Sequence, residues 1–299
     1  MEKGLRSMGE AKGAKSAVLI AGPTASGKSA LALRLACERG GIIVNTDALQ
    51  VYDVLRRITA RPSDTDLSEA PHLLYGTVPP SMRFSTGDWS RAAQAIIGEH
   101  RNLIFVGGTG LYFSSLISGF AEIPHVPPEA VAAAEAEIAG LDREARGRLI
   151  AERDPLVAAR LKAPDPQRVT RALAVLIATG RSLASFQDDT QAGLLDGWQV
   201  EKLVLDPDRE VLRQRIARRF ETMFAEGAAE EVRALLALNL DPSLPAMKAI
   251  GVPEIAAMLN GQLTQPEAIE RAIIATRQYA KRQRTWFRSR MADWEWIAA

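Results

Sequence analysis

The chain of 299 residues has almost no cysteine: Cys37 stands alone, which excludes an internal disulfide framework and points to a reducing compartment. Histidine is nearly as scarce. His72, His100 and His125 lie far apart, so a zinc cage of the usual Cys/His spacing is excluded. No apolar run approaches the ~20 residues of a membrane span; the stretch Ala172 to Ala178 is closed by Arg171 and Thr179. The first residues are polar, carry Glu2 and Glu10, and lack the apolar core of a secretory signal, so residues 1–15 read as a flexible tail on a cytoplasmic protein. Internal repeats and low-complexity tracts are also missing. Net charge is close to absent, 37 Lys and Arg against 36 Asp and Glu, which by itself says nothing about nucleic acid.

The balance hides two basic clusters. Seven basic residues and no acidic one fall between Arg271 and Arg290, and five arginines fall between Arg209 and Arg219. On a helix, Arg277, Lys281, Arg284 and Arg288 form one basic stripe, with Tyr279, Arg282 and Trp286 beside it. Twenty residues without an acid favour a polyanionic partner over an ordinary solvated face.

A composition of 47% hydrophobic and 24% charged residues is that of a globular protein with a sizeable core. Ser16 to Ala21 is a short β-type run leading without a break into Gly22 to Ser29, and Ala30 to Arg39 has helical spacing. Further buried-strand candidates are Gly41 to Thr46, Leu103 to Val106 and Lys202 to Leu205, with Trp294 to Ile297 a last short one. Strands alternating with helices predict a parallel sheet covered on both faces. About eighty residues before Lys202 read as helix, far more than one crossover requires, so a helical insertion is expected. The expected division is a core of 16–120 and 200–299 and an insertion of 121–199.

Gly22, Pro23, Thr24, Ala25, Ser26, Gly27, Lys28 and Ser29 fit G-x-x-x-x-G-K-S between a strand and a helix, the context of a nucleotide-binding (ATP-type) phosphate loop. Its amides and the helix N-terminus surround phosphate oxygens, Lys28 adds a full charge, and Ser29 offers a hydroxyl to Mg²⁺. ATP hydrolases place a metal-holding aspartate at a later strand end. Here Gly107-Gly108-Thr109 occupies that position, which weakens a motor reading. Asp47, at the end of the second strand, is the nearest carboxylate; it either serves a nucleophile as base or caps the following segment. Gln50 and Tyr52 lie near enough to shape the same pocket. Arg168 and Arg171 share a helix face and either grip phosphates or form a solvated edge, and Arg219 is equally open.

Together these positions resemble the tRNA dimethylallyltransferase family (the bacterial tRNA isopentenyltransferases). The matching stretches are Gly22 to Ser29, Asp47 to Tyr52, Val106 to Thr109 with Tyr112, Asp165 to Arg168 with Arg171, Arg219-Phe220 with Met223, Lys248 to Gly251, and Thr276 to Gln283 with Thr285-Trp286. The resemblance implies an α/β fold, a P-loop kinase-like core with a parallel sheet plus a helical insertion that clasps a tRNA anticodon stem-loop. It implies transfer of a dimethylallyl group from dimethylallyl diphosphate to N6 of the adenosine 3′ of the anticodon. By the same resemblance Asp47 is the general base, and Thr24 and Thr109 hydrogen-bond around the leaving diphosphate. Lys28, Ser29 with Mg²⁺, and Arg219 bind or neutralise it, while Asp47, Ala48, Leu49 and Gln50 with Gln167, Arg168, Val169, Thr170 and Arg171 contact the tRNA. A monomer acting on one tRNA is the simplest expectation. Val54 to Ile58 and Ala174 depart from the family's usual residues. The alternative is a small-molecule or nucleoside kinase using the same loop.

Overall fold

The computed structural model describes residues 14–119, 121, 123–161, 163–189 and 191–298, so positions 1–13 of the expected tail lie outside the described residues. The chain divides into two compact units, one formed by the segments ending at Phe113 and beginning at Leu195, the other by Ser114–Leu194.

The first unit is built on strands β1 (Ser16–Ala21), β2 (Ile42–Asn45), β3 (His72–Leu73), β4 (Asn102–Gly107), β5 (Gln199–Leu205) and β6 (Glu295–Ile297). They form one sheet in the order β3-β2-β4-β1-β5-β6, every pairing parallel. The central strands are buried on both faces, as helical crossovers demand, which is why β1 and β4 read as unbroken apolar runs. Helix Lys28–Arg39 packs Ala32, Leu35 and Ala36 onto Ile20, Ile43 and Ile104. A second cluster joins Val51, Tyr52, Leu55 and Ile58 to the helices Arg209–Ala225, Ala228–Ala237, Val252–Leu259 and Gln265–Arg290 through Ile216, Phe220, Val232, Ile255 and Ala272. Ser63, Ser85 and Thr264 start their helices with reciprocal capping boxes, each worth about 1 kcal/mol. Because every strand runs the same way, the turns after β1, β2, β4 and β5 all leave at carboxyl ends, where such sheets bind ligands.

In the second unit the regular structure is helical. Pro128–Ile138, Arg143–Arg153 and Pro166–Thr179 bury Ala134, Ile150, Val169, Ala172 and Leu173 against one another. Asp154 is buried; its Oδ1 accepts the Val157 amide and the Ser182 hydroxyl, joining two turns of the bundle. This unit begins at Ser114 rather than 121 and ends at Leu194 rather than 199. Helix Gly110–Ile117 crosses the first edge, and the turn closed by Trp198 N–H on Leu195 already leads into β5 at the second.

Candidate active site

The phosphate loop leaves β1 at Gly22 and enters its helix at Lys28, as the spacing predicts. Ser26 N–H closes a turn onto Pro23 O, and Ala25 sits in the left-handed region at φ 62, a conformation costing a non-glycine residue of order 1–3 kcal/mol. A tether from the far end of the sequence steadies the loop. Thr24 N–H donates to Gln283 Oε1 at 3.0 Å, and Gln283 Nε2 donates to Gly108 O at 3.0 Å. Gln283 is 5% exposed, and a Cβ at residue 108 would stand 2.1 Å from its Nε2, so only glycine lets the C-terminal helix come this near. One amide thereby joins the loop after β1 to the turn after β4.

Asp47 is held with similar economy. Asn45, fully buried, accepts the Asp47 amide on Oδ1 at 2.8 Å, while its Nδ2 donates to Asp47 O and Leu74 O; Trp89 Nε1 donates to Asn45 O. Thr109 Oγ1 accepts Ala48 N–H at 2.9 Å, and Thr109 N–H donates to Thr46 O. Asp47 Oδ1 accepts the Leu49 amide at 3.0 Å, so the carboxylate does cap the following turn, yet the residue also lines a cavity.

That cavity gathers Thr24, Ala25, Lys28 and Ser29 of the loop with Asp47, Leu49, Gln50, Thr59, Arg219, Thr276 and Tyr279. Its remaining wall is apolar, from Ile58, Ile216, Phe220, Met223, Ala249 and Ile250. Burial pulls the Lys28 ammonium from its ordinary 10.5 down to about 8; Asp47 opposes the fall and Arg219 reinforces it. Arg219 is lowered in the same way, chiefly by burial and against the pull of Asp47. Two cations and one carboxylate around a sheltered space leave a positive excess, which suits a polyanion.

The structure separates the site residues expected from sequence. Arg219 points inward and donates to Thr59 O, whereas Arg213, Arg215 and Arg218 of the same helix are exposed. Thr109 is not among the cavity residues; through Ala48 it fixes the turn that carries Asp47. Gln50 reaches the cavity, but both donors of its amide hold Thr59 O and Ala60 O at 2.9 Å. Tyr52 is a core residue whose hydroxyl donates to Met82 O, not a cavity wall. In the second unit Gln167, Arg168 and Arg171 are exposed, and Arg168 pairs with Asp165. Val169 does not join them. The helical period turns it into the bundle core at 0% exposure, so its side chain cannot touch RNA. The basic stripe is shortened as well, because Arg284 and Arg288 both pair with Asp206, at 2.6 and 3.2 Å. Arg277, Lys281 and Arg282 remain exposed. Asn45, Thr59, Gln283 and the apolar wall had no expected role, since partners far apart in the chain define each of them.

A parallel sheet of this order with such a loop at the end of its central strand defines a phosphate-loop α/β protein. Comparison with known proteins narrows the class. The family described as IPP transferase matches residues 50–290, and that described as isopentenyl transferase matches residues 15–74. The chain is 51% identical over 286 residues to the tRNA dimethylallyltransferase of Chelativorans sp. (strain BNC1), covering 94% of this chain and 98% of that protein. It is 48% identical over 286 residues to the protein of the same name from Rhizobium meliloti (strain 1021), covering 94% of each. Among solved structures it is similar to the full-length tRNA isopentenylpyrophosphate transferase of Bacillus halodurans, with a TM-score of 0.66 at 31% identity over 95% of this chain and 90% of that one. A eukaryotic dimethylallyltransferase acting on tRNA gives a TM-score of 0.77 at 25% identity, over 92% of this chain and 70% of that one. This chain belongs to the IPP transferase family.

Proposed function

We propose that the protein transfers the dimethylallyl group of dimethylallyl diphosphate to N6 of the adenosine 3′ of the anticodon in tRNA, releasing diphosphate. The observation that carries this reading is a single cavity with three kinds of wall: the cationic phosphate loop, the carboxylate of Asp47 and an apolar flank. A kinase acting on a polar metabolite has no use for the flank formed by Ile58, Ile216, Phe220 and Met223, and that reading is not favoured.

In the proposed reaction the bond between the allylic carbon and the diphosphate oxygen breaks as the N6 lone pair of adenine attacks that carbon. The carbon gains positive charge and the diphosphate takes the bonding pair. Loop amides, Thr24, Lys28 and Arg219 stabilise the departing anion without reorganising, the usual source of electrostatic rate gain. Asp47 accepts the N6 proton. Thr109 serves by holding Ala48 and the Asp47 turn in place. An adenine stacked in a loop cannot present its amine to this cavity, so the base is flipped out of the anticodon loop.

Ser29 opens onto the cavity next to Lys28, and among the described residues no three His, Cys, Asp or Glu side chains gather to cage a cation. That donor set fits a Mg²⁺ carried by diphosphate oxygens and water with the Ser29 hydroxyl as its protein ligand, where it would neutralise leaving-group charge. Leu49 and Gln50 at the cavity with Ala48 beside them, and Gln167, Arg168, Thr170 and Arg171 of the second unit, contact the tRNA, whose unpaired loop is read with backbone contacts from basic helices. The protein works as a cytoplasmic monomer, and the loop holds the prenyl donor's diphosphate in place of ATP.

Purified protein incubated with dimethylallyl diphosphate, Mg²⁺ and unmodified tRNA is expected to yield N6-prenylated adenosine in nuclease digests, with excess ATP inhibiting weakly or not at all. Absence of product with any tRNA of a native pool overturns the proposal.

A further inference from the structure

The apolar flank of the cavity raises a question the transfer reaction does not answer: what sets the length of the chain attached to the diphosphate. Ile216, Phe220 and Met223 come from helix Arg209–Ala225, and Ala249 and Ile250 from the turn before Val252. Ile58 comes from an irregular segment that is well tied down. Glu231 accepts two successive amides, Arg57 N–H at 2.7 Å and Ile58 N–H at 2.9 Å. Gln50 donates to Thr59 O and Ala60 O, and Arg219 donates to Thr59 O. Ala60 N–H and Arg61 N–H turn back onto Arg57 O and Arg56 O.

This tethering drives the Ile58 side chain into the interior, where it is 6% exposed. Its tip lies against Gly251, a residue at φ +99: a Cβ there would stand 2.5 Å from Ile58 Cδ1 and 3.1 Å from Phe220 Cε2. Ile58 and Phe220 therefore both lie close to the bare backbone of Gly251. The same Arg219 that lines the cavity with the phosphate loop holds Thr59, so the segment carrying Ile58 is tied to the cationic wall. An alkyl chain attached to a diphosphate at the loop meets Ile58 among the apolar residues that line the same cavity.

We infer that Ile58 is the specificity-determining residue for donor length, admitting a five-carbon allylic diphosphate and rejecting one longer by an isoprene unit. The inference rests on the prenyl-transfer reading and extends it from the reaction to the choice of donor. A packed interior wall cannot admit extra carbons without displacing side chains, and even one methylene too many in an apolar pocket is discriminated by about 10- to 200-fold.

The test compares kcat/KM for dimethylallyl and geranyl diphosphates with one tRNA, in wild type, Ile58→Val and Ile58→Ala. Wild type is expected to prefer the shorter donor by about 100-fold or more. Ile58→Ala is expected to shrink that ratio by about tenfold or more, mainly through gained use of the geranyl donor, and Ile58→Val by a smaller factor in the same direction. Ile58→Val, which removes one methyl group, keeps the test open if the alanine variant fails to fold. Equal use of both donors by wild type, or an unchanged ratio in folded variants that still use the short donor, overturns the inference alone. No transfer from either donor by wild type overturns the prenyl-transfer reading and this inference with it.

Discussion

The two ends of the cavity are built in different ways. The phosphate end is one contiguous stretch, Gly22 to Ser29, whose amides and charges act through local backbone geometry, completed by Arg219. The apolar end is assembled from three separated segments, contributing Ile58, then Ile216, Phe220 and Met223, then Ala249 and Ile250. Holding a diphosphate is thus a property that a loop can carry by itself and that many folds share. Choosing what is attached to the diphosphate is a tertiary property, sensitive to side-chain volume at every wall. Asp47 belongs to both ends, since its charge acts on Lys28 and Arg219 while it lines the same space as Ile58.

Asp47→Asn separates these contributions most sharply. The amide keeps an oxygen for the Leu49 N–H and nearly the same volume, but it cannot take a proton. Turnover is expected to fall by roughly 100-fold or more, the scale of lost general-base help. The donor KM is expected to stay level or drop, because the variant loses a negative charge near the loop. Single-turnover prenylation read by nuclease digestion and chromatography checks this. Turnover within about threefold of wild type would remove Asp47 from the chemistry.

The same contrast explains what could be read from the chain before its fold was known. The expected strands at Ser16 to Ala21, Gly41 to Thr46, Leu103 to Val106 and Lys202 to Leu205 all correspond to observed ones, since buried parallel strands are continuous apolar runs. His72–Leu73 was not expected, because two residues carry no periodicity. Arg219 is singled out among five arginines by the family resemblance alone, and the helix Arg209–Ala225 is what turns it, and not Arg213, Arg215 or Arg218, inward. Val169 shows the converse: the resemblance carries a whole five-residue stretch over as tRNA-contacting, while the helix sends its third residue into the bundle core. Gln283 lies in a matching stretch but nothing in that stretch shows its role, and Asn45 is marked only by its place two residues before Asp47. Gln283 acts by bonding to backbone from elsewhere in the chain, and Asn45 joins the local Asp47 turn to the remote Leu74 carbonyl.

Lys28 tests the phosphate end without touching the apolar one. With burial holding its ammonium at about 8, the free protein loses this cation as pH rises through that value. A diphosphate placed beside the amine favours the charged form and raises the value again, so binding takes up a proton between pH 8 and 9. The expected result is a donor kcat/KM that falls about tenfold per pH unit above 8, with kcat flatter, since saturating donor keeps the lysine charged. Binding heats for inorganic diphosphate at pH 8.5, measured in two buffers of different ionisation enthalpy, are expected to differ. Equal heats together with a flat profile from pH 7 to 9 would contradict it.

A smaller effect is expected where the two loops are joined. Gln283 does not itself line the cavity; it is a positioning residue that holds Thr24 of the phosphate loop to Gly108. Gln283→Ala strands a loop amide and a carbonyl, and a lost buried partner of this kind costs about 1–3 kcal/mol. Part of that cost is borne by the free protein, and a bound diphosphate re-orders the loop. The expected outcome is therefore a rise of about fivefold in donor KM with kcat within twofold of wild type. Gln283→Glu keeps an acceptor for the Thr24 amide but has no donor for Gly108 O, and it brings a negative charge towards the phosphate loop. Its KM is expected to rise at least as far as that of the alanine variant, and because residue 283 is buried, added salt should relieve little of the excess. A glutamate variant with wild-type KM would show that the loop holds its shape without this tether, and the rigidity of the phosphate end would then have to come from Gly22 to Ser29 alone.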